Sequence, residues 1–438
     1  MSTFSLQARV VFPIERPPIE HGVVAVDGER IVAVGGSEVA VGEVRDLGDV
    51  ALLPGFVNAH THLEFSDLKQ PLGAAGMPLV DWIQLVIDER GRRSNPPAES
   101  IAEGLRESVC RGVTTIGDIA TADIAAYADV IVPDISLFVE VIGFSRARAA
   151  SAFVAVTERL NAMREQAAAP PNSAIAGRIQ IGISPHAPYT VSPALLRDLI
   201  ALASRDSLPV AMHLAESAEE LELLVASTGP FAELLDERSM WDPLAIPHRS
   251  RPLHYLQMLA AAPRALVIHG NYLDAEERAF LASHRQRMTL VYCPRTHAYF
   301  GHPPYPLTEL LASGVRIALG TDSRASNLDL DLLAEMRHIA RAHPTIDPLN
   351  VLAMGTLAGA EALGVAERVG SLAVGKLANL VSVPLPEHAA GSPRDVLAVM
   401  LDDDAAVSAV WLRGREETDR EFGWHVAEPK RRAWFGDV

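Results

Sequence analysis

One stretch constrains this chain more than any other: Pro54-Gly55-Phe56-Val57-Asn58-Ala59-His60-Thr61-His62-Leu63-Glu64. An apolar run, Val50 to Leu53, enters a Pro-Gly bend, takes a short apolar step and ends on two histidines one residue apart. On a strand, positions i and i+2 point to the same side. His60 and His62 can therefore aim two imidazoles at one point, as neighbouring ligands of a tetrahedral metal ion must. Alone, such a pair also suits a polar strand edge. Its meaning depends on where the other titratable residues fall.

The middle of the chain, about residues 54 to 365, alternates short apolar strands with helical segments. The strands expected are Leu52–Ala59, Thr114–Ile119, Ser136–Ile142, Ile179–Ser184, Pro209–His213, Ala265–His269, Thr289–Cys293 and Arg316–Gly320. Helices are expected between them, at Ser100–Arg111, Pro193–Ser204, Ala218–Ala226 and Asp274–Ser283 among others. Ser100–Arg111 places Ile101, Leu105 and Val109 on one face and stops near Gly112. This alternation predicts an α/β fold, a parallel (β/α)8 TIM barrel. An open doubly wound sheet is the competing arrangement, but no glycine-rich phosphate loop follows the first strand. The polar run Asp88–Ser100 reads as a loop.

Both ends of the chain are β-rich instead. Val23–Val26 and Ile31–Val34 flank Asp27-Gly28, a hairpin signature. Residues 370–381 and 405–412 have the same texture. The termini are therefore expected to combine into one small β-sandwich domain, residues 1–54 with 366–438, interrupted by the barrel at 55–365.

In such a barrel the C-terminal ends of the strands form the active-site face. The first offers His60 and His62, the fourth Ser184-Pro185-His186, and the fifth His213-Leu214-Ala215-Glu216. The sixth offers His269-Gly270-Asn271 and the eighth Thr321-Asp322-Ser323. Each residue alone could be a cap or a solvated side chain. Titratable residues at one end of five otherwise apolar strands form a pattern, and the pattern reads as a metal site.

At these residues the sequence resembles the amidohydrolase superfamily. The resemblance is carried by Pro54 to His62, by His213-Leu214-Ala215-Glu216-Ser217, by Gly320-Thr321-Asp322-Ser323-Arg324-Ala325-Ser326-Asn327, and by Gly355 to Gly364. The last runs on through Gly370-Ser371-Leu372 and Gly375 to Leu380, like the family's return into its small β-sandwich. As a set these motifs are similar to the branch of chlorohydrolases, guanine deaminases, adenosine and S-adenosylhomocysteine deaminases, and aminodeoxyfutalosine deaminases. The resemblance implies that His60, His62, His213 and Asp322 bind one divalent ion. Three imidazoles and a carboxylate suit Zn²⁺ first, with Fe²⁺ as the alternative. Some members of the superfamily hold two metals bridged by a carbamylated lysine. No lysine stands between Lys69 and Lys376, so that centre is excluded.

The same resemblance gives Glu216 the role of general acid and base, although a carboxylate there could also cap the next helix. It makes Asp322 the acceptor of a proton from water, His269 a hydrogen-bond donor to the developing oxyanion, and His186 a substrate contact. Trp82 could cover a planar ring, or pack in the core. Arg146 and Arg148, following the third strand, could pair with a substrate carboxylate. Glu64-Phe65-Ser66 is similar to aminodeoxyfutalosine deaminases. His297 and His302 stand in the loop after the seventh strand, where many relatives have Ser-Asn at the Thr296-His297 position. Cys293 reads as a strand residue, not a nucleophile.

The reaction expected is hydrolytic deamination of an adenosine-type nucleoside. The alternatives are opening of a non-aromatic cyclic C–N bond, as in imidazolonepropionase, action on guanine or a triazine, and a non-catalytic binding role. The formal charge of −17 argues against nucleic acid and anionic membranes as partners. A small molecule is the expected partner, with a homo-oligomer possible. Two cysteines fit a reducing compartment. No signal peptide or apolar run of roughly 20 residues is present, so a cytoplasmic protein is expected.

Overall fold

The computed structural model describes residues 3–93, 97–127, 133–167 and 177–417. Its centre is a single eight-stranded sheet in which every strand runs parallel to the next. The barrel strands are β1 Phe56–Thr61, β2 Val113–Ala120, β3 Asp134–Val141 and β4 Ile179–Pro185. They continue as β5 Val210–Leu214, β6 Ala265–His269, β7 Met288–Tyr292 and β8 Ile317–Leu319. Spatial order equals chain order, with helices in between, which makes the expected (β/α)8 barrel.

Alternation along each strand decides what faces what. Val57, Phe138, Ala211, Leu266 and Val291 join one apolar cluster. Their neighbours Leu137, Val139, Val210, Val267 and Leu290 join a second cluster shared with the helices. Buried on both faces, the strands read as nearly unbroken apolar runs. The first phase continued up the strands takes Phe138 to Glu140 and Ala211 to His213, so the same alternation that packs the barrel delivers polar groups to its rim.

β8 is only three residues long, and side chains complete the closure. Asn58 donates from Nδ2 to Thr321 Oγ1 at 2.7 Å and accepts from the Thr321 N–H at 3.1 Å. The Asp322 N–H donates to the His60 carbonyl at 3.1 Å, and Thr61 bridges to Asp322. Asn58 thus locks the first strand to the last beside three of the expected ligands.

The expected strand Leu52–Ala59 is two strands. Val50–Pro54 pairs antiparallel with Leu380–Pro384, Leu53 opposite Val381, in a six-stranded sheet outside the barrel. The chain switches sheets at Gly55, whose N–H bonds the Asn379 carbonyl. A Cβ there would lie 2.2 Å from Thr114 Oγ1, so no side chain fits at the crossing. A second sheet of four strands holds the expected hairpin, Asp27 opposite Arg30, with Gly28 at φ +59. Leu6, Val24, Leu52, Leu380 and Trp411 pack between these sheets, so strands from both ends of the chain share one core.

Asp88–Ser100 is mostly not a loop. It holds the end of helix α1, Leu79–Arg92, and the start of a helix at Pro97–Cys110, with residues 94–96 outside the described set. Two further helices matter here, α2 Ala218–Ala226 and α3 Pro230–Glu237. Among the described residues no helix is long and apolar enough to cross a membrane.

Candidate active site

His60, His62, His213, His269 and Asp322 meet at the C-terminal rim of the barrel, all buried. His62 Nε2 lies 3.3 Å from His213 Nε2. Asp322 Oδ1 lies 3.5 Å from His60 Nε2 and 3.7 Å from His62 Nε2. His60, His62 and His213 can present ligand atoms within 4.8 Å of one another, and so can His60, His269 and Asp322. Both ring nitrogens of His60 and Nδ1 of His62 are buried without a hydrogen-bond partner. Buried polar atoms are normally satisfied, and a cation among the rings would account for one of these orphans, His60 Nε2, the nitrogen that faces Asp322. His213 Nδ1 donates to the His186 carbonyl at 2.9 Å, which leaves its Nε2 lone pair free for a metal.

Electrostatics agree with this donor set. Burial first, then the neighbouring imidazoles, holds His62 and His213 well below the usual histidine range, so both are neutral. Burial alone would raise Asp322. The contact with His60 and the surrounding imidazoles outweigh it, and the carboxyl is held well below its usual range. The residues present therefore fit one divalent cation.

Glu216 is tuned the other way. Burial, then the charges of Asp322 and Glu220, pushes its carboxyl well above the usual range. It is not a helix cap: Ser217 caps α2, accepting from the Glu220 N–H. His269 Nε2 sits 3.4 Å from Glu216 Oε1 and 4.0 Å from Asp322 Oδ2. Glu220 clamps the turn from beneath, accepting the N–H groups of Ala215 at 2.7 Å and Glu216 at 3.0 Å. Ala215, His269 and Asp322 take left-handed backbone angles, φ 55, 69 and 55. Strain of this kind persists only where the surroundings over-determine it.

These groups line one end of a cavity of about 210 Å³. The remainder comes from two helices. α1 contributes Leu79, Trp82, Ile83, Val86, Ile87 and Arg90, one face of the helix. α3 and the residue after it contribute Phe231, Leu234, Leu235 and Arg238.

The other sequence expectations divide. His186 lines the cavity, with Nδ1 2.8 Å from Thr190 Oγ1. Burial, then Arg90 and His60, lowers it to about 3, so it meets a substrate as a neutral ring. Trp82 lines the cavity too, its Nε1 donating to the Ala325 carbonyl at 3.1 Å. Arg148 does not. After β3 the chain turns into a helix at Arg146–Ala167, and Arg148 is exposed in its first turn and absent from the cavity wall. Arg146 is engaged by Asp242 at 3.0 Å. His297 and His302 lie beside each other and do not line the cavity, ring centres 5.4 Å apart, with His302 against Tyr272 OH at 3.1 Å. Burial pushes the Cys293 thiol well above its usual value, consistent with an inert strand residue.

Sequence reasoning missed Asn58, Glu220, Arg90 and Arg238. The α1 face was readable, because positions 79, 82, 83, 86, 87 and 90 follow helical spacing. Arg238 carried no signal, since nothing in the sequence turns α3 toward the barrel mouth.

Comparison with known proteins places these features in a family. The model described as "Amidohydrolase family" matches residues 51–416. The 5-methylthioadenosine/S-adenosylhomocysteine deaminase of Moorella thermoacetica is 31% identical over 407 residues, covering 89% of this chain and 87% of its own. An adenosine deaminase structure from Xanthomonas campestris with bound zinc is 27% identical, with a TM-score of 0.72 over 94% of this chain and 92% of that one. Helicobacter pylori aminofutalosine deaminase, solved with methylthio-coformycin, shares the fold at TM-score 0.80 and 21% identity, covering 95% of this chain and 100% of that chain.

Proposed function

The chain belongs to the amidohydrolase family, and from that premise we propose that it deaminates the adenine ring of a 5′-substituted adenosine by hydrolysis. The observation that carries this reading is the convergence of His60, His62, His213, His269 and Asp322 at one end of a cavity, with Glu216 3.4 Å from His269 and its carboxyl pushed up where that of Asp322 is held down. Two carboxyl groups with pKa values driven apart are the mark of an acid and a base in one site.

His60, His62, His213 and Asp322 would hold one divalent ion, zinc for preference, a reading that the zinc bound in the Xanthomonas deaminase supports. When bound, such an ion would supply a water of lowered pKa, about 7, as the nucleophile at neutral pH. Asp322 accepts the proton that the water gives up. Glu216 delivers its own proton to the ring nitrogen beside the amino-bearing carbon, then carries another to the leaving amine. The new C–O bond forms, the C–N bond breaks, and ammonia leaves. His269 donates a hydrogen bond to the oxygen as it attacks. His186 and Trp82 hold the ring: one as a neutral polar edge, the other as an aromatic face.

The test is ammonia release by zinc-loaded protein from adenosine, methylthioadenosine and S-adenosylhomocysteine, beside guanine and a triazine. Stoichiometric ammonia with conversion of the 6-amino purine to its 6-oxo form is expected. Ammonia from guanine or the triazine alone would leave the acid–base reading standing and remove the adenine substrate.

A further inference from the structure

The two helices that wall the cavity are built alike. On α1, Leu79, Trp82, Ile83, Val86 and Ile87 lead to Arg90. On the α3 side, Phe231, Leu234 and Leu235 lead to Arg238. The two arginines differ in one respect. Arg90 is already spent: it bonds the Glu64 carboxylate, lies 3.8 Å from Glu140 and stacks over the Phe65 ring at 5.3 Å. Arg238 is exposed, and among the described residues its side chain has neither a hydrogen bond nor an ion pair. A chain of net charge −17 leaves one cation uncompensated at the mouth of its own active site.

The rest of the wall says what reaches that cation. Ile142 and Met240 extend the apolar surface, and Tyr189 stacks on Phe231 with ring centres 4.1 Å apart. The carboxyl groups on the cavity wall are Glu216 and Asp322, both at the metal end. A substrate ammonium near Arg238 would therefore find no partner on the wall, whereas a carboxylate would find a guanidinium able to grip it through two bonds. We propose that Arg238 anchors a carboxylate at the far end of the substrate, so that this protein selects an adenosine whose 5′ substituent is apolar and carries a single negative charge. This rests on the deaminase reading above and narrows it, and it moves carboxylate recognition from Arg148, which the fold turns away, to Arg238.

Three probes separate the possibilities: 5′-deoxy-5′-(benzylthio)adenosine, its 4-carboxybenzyl analogue, and S-adenosylhomocysteine, whose tail carries both charges. Each is assayed for ammonia release with wild type, Arg238→Gln, Arg238→Glu and Arg148→Ala. In wild type the carboxybenzyl compound should exceed the benzyl compound roughly 5- to 10-fold in kcat/KM, the size expected of a partly exposed charged contact. The gap should lie in KM and shrink with added salt. It should vanish in Arg238→Gln, reverse in Arg238→Glu and survive in Arg148→Ala. S-adenosylhomocysteine should fall below the carboxybenzyl compound. Turnover of all three without preference in wild type, or a preference retained in Arg238→Gln, overturns the anchor and leaves the deaminase standing. S-adenosylhomocysteine matching the carboxybenzyl compound overturns the single-charge selection. If none of the three is deaminated, the deaminase reading falls and takes the anchor with it.

Discussion

The two ends of the cavity follow opposite plans. At the end where the histidines converge the titratable groups are buried and delivered by barrel strands, and three residues there hold left-handed backbone angles. At the far end the wall is apolar, comes from two helices outside the strand ring, and finishes in an exposed arginine. On the proposed reading the barrel fixes the chemistry, and the helices decide what is brought to it. Lesions at the first end should strike metal content and kcat, and lesions at the second should strike KM.

The largest effect should come from the ligands. His60→Ala or His213→Ala should strip the metal and take turnover to background, as metal analysis per chain and an ammonia assay on the same sample would report. A variant that kept its ion would break the donor set. Next, Glu216→Gln should retain the metal and lose roughly 10²–10⁴-fold in kcat, because the amide keeps the shape but moves no proton. Near-normal turnover in that variant would shift the acid elsewhere.

Glu220→Ala lies between the two plans, since it touches no substrate. It leaves the Ala215 and Glu216 N–H groups buried without an acceptor, at about 1–3 kcal/mol each. A lower unfolding midpoint with reduced kcat and an unchanged KM is expected; a change confined to KM would place Glu220 in binding. At the far end, Leu235→Ala should raise KM by about tenfold with kcat and metal unchanged. A fall in kcat instead would mean that the two ends are not separate.

The smallest effect concerns pH. Burial raises the Glu220 carboxyl to about 7 from an ordinary 4.5, against the pull of its two N–H donors. A raised folded value stabilises fully below the unfolded pKa and is lost as pH rises through the folded one. Thermal stability should therefore fall between pH 4.5 and 7 on this group's account, and Glu220→Gln should flatten that part of the curve.

The contrast between the two ends also explains what the sequence disclosed. The metal end was legible because strand periodicity and the barrel's polarity tie a residue's position in the chain to its place in space. His60, His62, His186, His213, Glu216, His269 and Asp322 could all be read from strand ends. The sheet switch at Gly55 was hidden, because a Pro-Gly step within an apolar run looks the same whether one strand or two pass through it. Glu220 was hidden because its role lies in accepting backbone N–H groups, which no residue pattern advertises. Arg148 lies away from the cavity for the opposite reason. It follows β3 in sequence, but the helix begins at once at Arg146, and proximity along the chain did not become proximity to the cavity. The Arg238 position depends on how α3 leans over the barrel mouth, a packing outcome of residues far apart in sequence.

The central claim is that one ion, held by His60, His62, His213 and Asp322, serves a deamination whose proton Glu216 carries. Stripping the protein with a chelator and titrating zinc back, while following ammonia release from methylthioadenosine, tests it most directly. Activity should climb linearly and stop at one ion per chain, and Glu216→Gln should bind the same single ion without turnover. A plateau at two ions per chain, or ammonia release unaffected by metal removal, would contradict the account.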